Sequence, residues 1–296
     1  MKKLIVRSVL ILGFAALATA LQAQPTAHYV PGVEGIKAAT LPPPGWYVRD
    51  YSVAYFADQL NSGSGNNAHV PNFQAFTYAN VPRVIWITDT KLLGANVGVD
   101  ALVPLVYQNV RAGGYSSGTF GVGDLFAEST LSWHLQQFDF STALGVWMPT
   151  GESAAPPTTR AGLGYWTPRW TGGATWYADE EKTWAVSALC RYELNTEQRD
   201  THVTRGDAIT LEWGVSKTLQ KVIDVGVVGY YQQKVSDDTG PSAFVTPQDR
   251  VAAAGPEISV AFPKQMFFVS CRYLYEFVAE NRAQGHTIAL TLTKRF

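Results

Sequence analysis

The chain has 296 residues, of which 12% are aromatic and only 16% charged, against about 25% charged in an ordinary soluble domain. Its formal net charge is −1 and it has two cysteines, so neither a basic footprint for nucleic acid nor a disulfide scaffold is present.

In chain order, the first element is a leader. MKKLIVRSVLILGFAALATALQAQ carries Lys2, Lys3 and Arg7, an apolar run from Ser8 to about Ala20, and small residues suited to cleavage after Ala20 or Ala23. The run is shorter than the ~20 residues needed to span a bilayer. Residues 1–23 therefore read as a signal peptide, with no cysteine near the cleavage site for lipid attachment. Removing its three cations from the 23 basic residues leaves about 20 against 24 acidic ones, a net charge of about −4. Residues 24–45 read as a periplasmic segment and 46–296 as one all-β domain.

Strand patterns fill that domain, without a convincing helical period. Trp184, Val186, Ala188, Cys190 and Tyr192 alternate with Thr183, Ser187, Arg191 and Glu193. Ile209, Leu211, Trp213 and Val215 alternate with Thr210, Glu212, Gly214 and Ser216, and Phe267, Val269, Cys271, Tyr273, Tyr275 and Phe277 with Ser270, Arg272 and Glu276. In the last strand Ile288, Leu290, Leu292 and Phe296 share one face with the single intruder Lys294. These strands are long for globular ones, at ~5–6 residues, and suit tilted membrane strands of ~9–11. Twelve strands are predicted, near 46–58, 76–88, 92–107, 121–135, 138–149, 164–178, 182–194, 207–218, 222–234, 250–262, 266–278 and 286–296.

The links alternate in kind. NSGSGNNAHVPN, NVRAGGYSSGT, TGESAAPPTTRAG, NTEQRDTHVTRGD and VSDDTGPSAFVTPQD are long and polar or rich in Gly and Pro, whereas TDTK, QQF, ADEEK, LQK and FPKQ are tight. Short turns at one end, long loops at the other and an even strand number predict a transmembrane antiparallel β-barrel of the outer-membrane type with twelve strands.

In such a barrel Asp100, Asp124, Glu128, Arg191, Glu193, Glu212, Glu257, Arg272 and Glu276, all opposite the apolar series, face the lumen, because hydrocarbon would make them costly. They serve there either as ion pairs holding barrel shape or as groups that guide solute. Trp46, Tyr47, Trp86, Trp133, Trp147, Trp166, Trp176, Trp184 and Trp213 lie mostly near strand ends or on outward faces, as interfacial girdles do. Trp86 and Leu189 are the bulky residues to check for blocking the bore. Cys190 and Cys271 are expected on outward faces as small apolar groups. Phe296 fits a terminal aromatic signal for the barrel-assembly machinery, and Lys294 beside it can snorkel to the interface.

The second half carries a resemblance. LGYWTPRWTGGATWYADEEKTWAVSALCRYELNTEQRDTHVTRGDAITLEWGVSKTL, VGVVGYYQQKVSDDTG, RVAAAGPEISVAF and RYLYEFVAENRAQGHTIALTLTKRF resemble the outer-membrane transporters named for the meta-cleavage pathway of phenol degradation. The likeness runs from about Gly45 to Phe296 and is most specific at Tyr192–Asp207, Gly229–Gly240 and Tyr273–Gly285. It implies a transporter-like barrel linked to aromatic catabolism. Those stretches sit in predicted outer loops. Glu193, Asn195, Glu197, Arg205 and Asp207 surround one loop, Asp237, Asp238 and Arg250 the next, and Glu276, Glu280, Asn281 and Arg282 the last. Opposite charges on neighbouring loops suit cross-links across the barrel mouth better than a divalent cation at Asp207, Asp237 and Asp238, since no dedicated cation-loop spacing is present.

The functional expectation is passive passage of small hydrophobic or aromatic solutes through a hydrated bore, with acidic residues disfavouring anions and no cofactor or metal. The expected partners are those solutes, outer-membrane lipid and lipopolysaccharide, and the assembly machinery. The competing reading is a barrel plugged by side chains, structural or adhesive, whose loops bind a partner. A soluble all-β binding protein is the third. Catalysis is not expected. None of His28, His69, His134, His202 and His286 has a Ser two residues on, no His–Asp neighbours occur at the outer mouth, and His202 with Asp200 is a lone pair.

Overall fold

The computed structural model describes residues 27–155, 158–242 and 244–296; the leader expected at 1–23 lies outside them. Fourteen strand segments follow one another: β1 Gly45–Leu60, β2 Gln74–Leu92, β3 Ala95–Leu102, β4 Leu105–Ala112, β5 Tyr115–Val122, β6 Leu125–His134 and β7 Phe138–Met148. The second half holds β8 Thr167–Tyr177, β9 Trp184–Glu193, β10 Ala208–Leu219, β11 Ile223–Lys234, β12 Arg250–Phe262, β13 Phe267–Glu280 and β14 Ala283–Arg295, with a 3₁₀ turn at Pro263–Gln265.

They make twelve staves. β3 and β4 are two halves of one, interrupted at Val103–Pro104, where proline has no N–H for the ladder. β5 and β6 are halves of the next, interrupted at Gly123–Asp124. β2 is long enough to pair with β4 through Gln74–Asn80 and with β3 from Arg83 onward. β1 pairs with both β2 and β14, from Tyr47↔Arg295 to Leu60↔Ala283, so the antiparallel sheet closes on itself.

Burial is inverted relative to a soluble sandwich. Along β14, Thr287, Ala289, Thr291 and Thr293 are buried while Ile288 and Leu290 are exposed. Along β10, Thr210, Glu212 and Ser216 are buried and Leu211 and Val215 exposed. Period-2 alternation sends each set to one side of the wall. With backbone groups satisfied by a closed ladder and an apolar exterior, the protein is a transmembrane β-barrel of the outer-membrane type. Trp46 and Trp86 stack on the outside with ring centroids 5.0 Å apart, a cross-strand aromatic pair of the kind that helps set register.

Several expectations need correction. NVRAGGYSSGT is no long loop: Ala112 and Tyr115 pair across Gly113–Gly114, whose φ values of 56° and 90° make the tight hairpin turn that only glycines adopt without strain. The turn expected at TDTK falls later, at Leu93–Gly94, because β2 continues to Leu92. Trp86 does not enter the bore; it is 41% exposed on the outer face. Tyr47 and Trp147, expected in the girdles, point inward and are buried, as is Leu189.

β5 has β4 on one edge and no ladder on the other. The connection from β7 to β8 covers that edge, with Thr159 N donating to Ser117 Oγ (3.1 Å), and it also meets the start of β6, where Thr150 Oγ1 accepts from Leu125 N (2.9 Å).

The largest correction concerns the segment expected in the periplasm at 24–45. Over its described residues it runs through the barrel, from His28 beside the start of β8 to Pro44 at the short-turn end, where Arg295 Nη2 donates to Pro44 O (2.8 Å). Its sequence, AHYVPGVEGIKAATLPPP, has no period-2 apolar face for a strand. Its backbone polar groups therefore need partners elsewhere, and the lumen residues supply them.

Candidate functional site

The wall side chains that meet this segment come from inward positions of β9 to β13. Glu212 accepts from the Tyr29 hydroxyl (2.6 Å) and from the amide of Gly32 (2.8 Å), and it pairs with Arg191. The Arg191 guanidinium lies 3.9 Å from the centre of the Tyr29 ring. Glu193 accepts from the Tyr29 amide (3.2 Å), and Gln232 Nε2 donates to the Tyr29 carbonyl (3.0 Å). Arg272 donates to the carbonyls of Gly32 and Val33 while Glu257 takes the amide of Ile36 (2.9 Å). At Gly35 a Cβ would lie 1.8 Å from Glu257 Oε2, so only glycine lets the backbone approach this closely. Lower down, Lys37 Nζ reaches Asp224 Oδ1 (3.0 Å) and Thr40 Oγ1 donates to Thr175 Oγ1 (3.0 Å).

Opposite, on β2, β3, β6 and β8, the charges form a chain centred on Arg83. Its Nε and Nη2 grip Asp100 (2.8 and 2.8 Å), Nη2 also reaches Glu128 (2.8 Å), and Nη1 reaches Glu34 of the segment (3.1 Å). Glu128 passes the chain to Arg169 (3.0 Å), whose guanidinium lies 3.8 Å from the centre of the Phe126 ring. Glu34 also takes the Tyr51 hydroxyl (3.0 Å) and Arg49 (3.4 Å). At the top, His28 faces Asp124 through Nε2 (2.9 Å) and Thr167 through Nδ1 (2.7 Å), with its ring 5.4 Å from Trp147.

Asp100, Asp124, Arg191, Glu193, Glu212, Glu257, Arg272 and Glu276 lie on the inward face and are buried, and Glu128 beside them is half-buried. Six of them, Asp124, Arg191, Glu193, Glu212, Glu257 and Arg272, hold the segment directly; Asp100 and Glu128 hold it through Arg83. Glu276 instead binds the hydroxyls of Tyr55 (3.0 Å) and Tyr230 (2.9 Å). The acids are thus occupied, rather than free to repel anions in a hydrated bore. Arg49 and Arg83 were missed from sequence, because they sit in the first two strands, where the alternation is weakest. His28, Tyr29 and Glu34 were missed because nothing local marks a loop that folds inward.

Several spaces remain beside the segment, and two of them meet at Glu34. One, of about 160 Å³, is lined mainly by apolar groups including Val53, Ala79, Val81, Val106 and Leu163. The other, about 370 Å³, opens toward the short-turn end among Ser259, Ser270, Arg272, Thr291 and Arg295. Val33, Glu34 and Tyr51 line both. The clamp of Tyr51, Arg49 and Arg83 on Glu34 therefore stands between an apolar upper space and a polar lower one.

Ion pairs and hydrogen bonds join neighbouring outer loops. Asp238 accepts from Arg205 (2.8 Å) on the neighbouring loop, from Lys234 (2.9 Å) and from the amides of Gly206 (2.9 Å) and Thr246 (2.9 Å). Arg250 pairs with Glu280 (2.5 Å), and Arg282 reaches Asp249 (4.0 Å) and Glu276 (3.8 Å). Asp207 takes the Tyr192 hydroxyl (3.1 Å), Asn195 Nδ2 donates to Gly206 O (2.8 Å), and Glu197 meets His202 (2.8 Å). Asp237 accepts from Gln248 and Asn281 donates to the Gln248 carbonyl.

Burial alone would raise the Asp238 pKa, but the Lys234 hydrogen bond and the Gly206 and Thr246 amides outweigh it and hold the carboxyl below its usual range. A depressed folded pKa contributes stability above the unfolded value of ~3.9 that is lost as pH falls through the folded one. The 235–249 loop is accordingly expected to keep its protease resistance as pH falls to about 4. Asp238→Asn should lose that resistance at neutral pH, through a local penalty of about 1–3 kcal/mol for donors left unpaired. Limited proteolysis of the refolded barrel reads both, and equal cleavage of variant and wild type would refute the cross-link's importance.

The sequence pattern of the family described as "Putative MetA-pathway of phenol degradation" matches residues 57–292. The chain belongs to that family. No curated protein matches it. Among solved structures, the chain is similar to the COG4313 outer membrane channel from Pseudomonas putida F1 at a TM-score of 0.76, with 12% identity over 91% of this chain and 100% of that one. It is also similar to the beta domain of the Bordetella autotransporter BrkA, at a TM-score of 0.53 and 11% identity over 86% and 100% of the two chains. The translocator domain of the autotransporter NalP from Neisseria meningitidis gives 0.50 and 13% over 86% and 90%. At these identities the likeness establishes the outer-membrane barrel fold alone.

Proposed function

We propose that this protein is an outer-membrane channel for small hydrophobic or aromatic solutes, exported by the leader at 1–23 and closed at rest by its own N-terminal segment. The observation that carries this reading is the segment itself, seated in the bore and flanked by an apolar space and a polar one that meet at Glu34. A solute leaves water for the apolar space, passes the Glu34 clamp when it loosens, and enters the polar space at the other end. Such a path binds solute weakly enough to release it, as a channel must.

The aromatic preference is supported by the family's description and by the lining of the upper space. Lumen charges then act first as holders of the segment, and as selectivity groups when it moves. Lipid and lipopolysaccharide are the proposed surroundings of the outward face. The assembly machinery is the proposed reader of Phe296, which is exposed and donates its amide to Trp46 O (2.9 Å). The reading of a structural barrel is favoured by one fact, that the segment's groups are so fully bonded.

Swelling of proteoliposomes separates the two. Phenol and benzyl alcohol are expected to enter faster than a sugar of similar mass, and faster than into empty liposomes by a margin that grows with protein content. Equal rates for protein-bearing and empty liposomes would leave the structural reading standing.

A further inference from the structure

The lining of the upper cavity contains a cation that makes no ion pair among the described residues. Arg83, Arg169 and Arg191 line it, and each is paired with a carboxylate: Asp100, Glu128 and Glu212 respectively. Arg160, on the connection that covers the β5 edge, also lines it and is 5% exposed. Among the described residues no carboxylate lies within 4.0 Å of Arg160. Its Nη1 donates to the Ala154 carbonyl (2.6 Å), which steadies the side chain, and its Nε has no partner.

Two acids, Asp200 and Asp124, act on Arg160 electrostatically, but neither comes within ion-pair distance of it. Asp124 lines the same cavity but already accepts from His28, Gly151 N (2.9 Å) and Leu163 N (2.6 Å), and Glu34 is held by Arg49, Arg83 and Tyr51. A second lining donor, Trp147 Nε1, is likewise buried and unpaired. Buried donors without partners are uncommon, and each calls for a physical account. Burial pulls the Arg160 pKa down to about 10, which leaves the guanidinium charged at neutral pH.

Size and chemistry narrow what would satisfy it. A volume of about 160 Å³ is close to the ~150 Å³ of an apolar cavity that takes benzene. A guanidinium presents its donors in a fork that fits a carboxylate in two-point fashion. We propose that this cavity is a binding site for a small monocarboxylate with a single-ring or similarly compact apolar body, the body against Val53, Val81 and Val106 and the carboxylate on Arg160. The proposal deepens the channel reading, resting on it for its relevance to transport but not for binding itself. It makes the preferred solute an anion, which the paired acids of the lumen do not oppose.

Isothermal titration of the refolded full-length barrel in detergent with benzoate, and with its neutral isostere benzamide, tests the site. Wild type is expected to bind benzoate at least tenfold more tightly than benzamide. Arg160→Gln should erase that preference by weakening benzoate far more than benzamide, and Arg160→Lys should restore part of it. Equal binding of the two probes by wild type, or a preference that survives in Arg160→Gln, would overturn the proposal even if one variant folds poorly. Liposome flux distinguishes the levels: benzoate bound but not carried sinks the channel reading alone, and flux with no Arg160-dependent preference sinks the site alone.

Discussion

A barrel lacking residues 27–40 is expected to conduct several-fold more current per channel than wild type in a planar bilayer, and to remain folded. The fold survives because closure rests on backbone ladders, from β1–β14 round to β1–β2, none of which uses the deleted residues. Of the carboxylates left behind, Glu212 and Glu257 keep Arg191 and Arg272, whereas Glu193, which loses the Tyr29 amide, would otherwise be costly as a buried charge short of partners. With the segment gone, water enters and solvates it. Glu34→Ala should give a smaller rise, since it releases the clamp at the junction of the two spaces while the Tyr29 and Lys37 anchors stay. Conductance unchanged by the deletion, in protein whose heat-dependent gel migration is normal, would show that the segment does not close the path.

The second large effect is one of stability. Arg83→Met removes the cation shared by Asp100, Glu128 and Glu34, whose side chains are 1%, 7% and 13% exposed. Breaking a buried pair by deleting one partner costs about 3–5 kcal/mol, because the remaining charge stays in a poor solvent. Three acids share the loss here, and Arg49 and Arg169 offset only part of it. Unfolding of the refolded barrel in urea should therefore shift by about 3–5 kcal/mol, read from the midpoint at constant slope. A shift under about 1 kcal/mol, the range of an exposed pair, would mean that the lumen there is wet enough to replace Arg83.

Most of the wall was legible in the sequence because membrane strands obey a period of two that a bilayer enforces. Thr287, Ala289 and Thr291 against Ile288 and Leu290 can be sorted by alternation alone, and so can Arg191, Glu212 and Arg272 against their apolar neighbours. The same rule, with the alternation of short and long links, gave the twelve staves. It failed where periodicity is absent or misleading. Gly113–Gly114, read as loop, is a hairpin turn that extends the wall, and Trp147 lies inside although its ring would suit a girdle.

What sequence determined, then, is the barrel, its inward charges and its membrane-facing skin, because each follows from local alternation and the cost of charge in hydrocarbon. Tertiary structure alone decided what those charges do. Tyr29 meets Glu212 across 183 positions and Arg272 meets the Gly32 carbonyl across 240. No local pattern records such pairings, since an irregular segment takes its hydrogen bonds from whatever wall surrounds it. The unpaired Arg160 is legible only once Asp124 and Glu34 are seen to be already occupied.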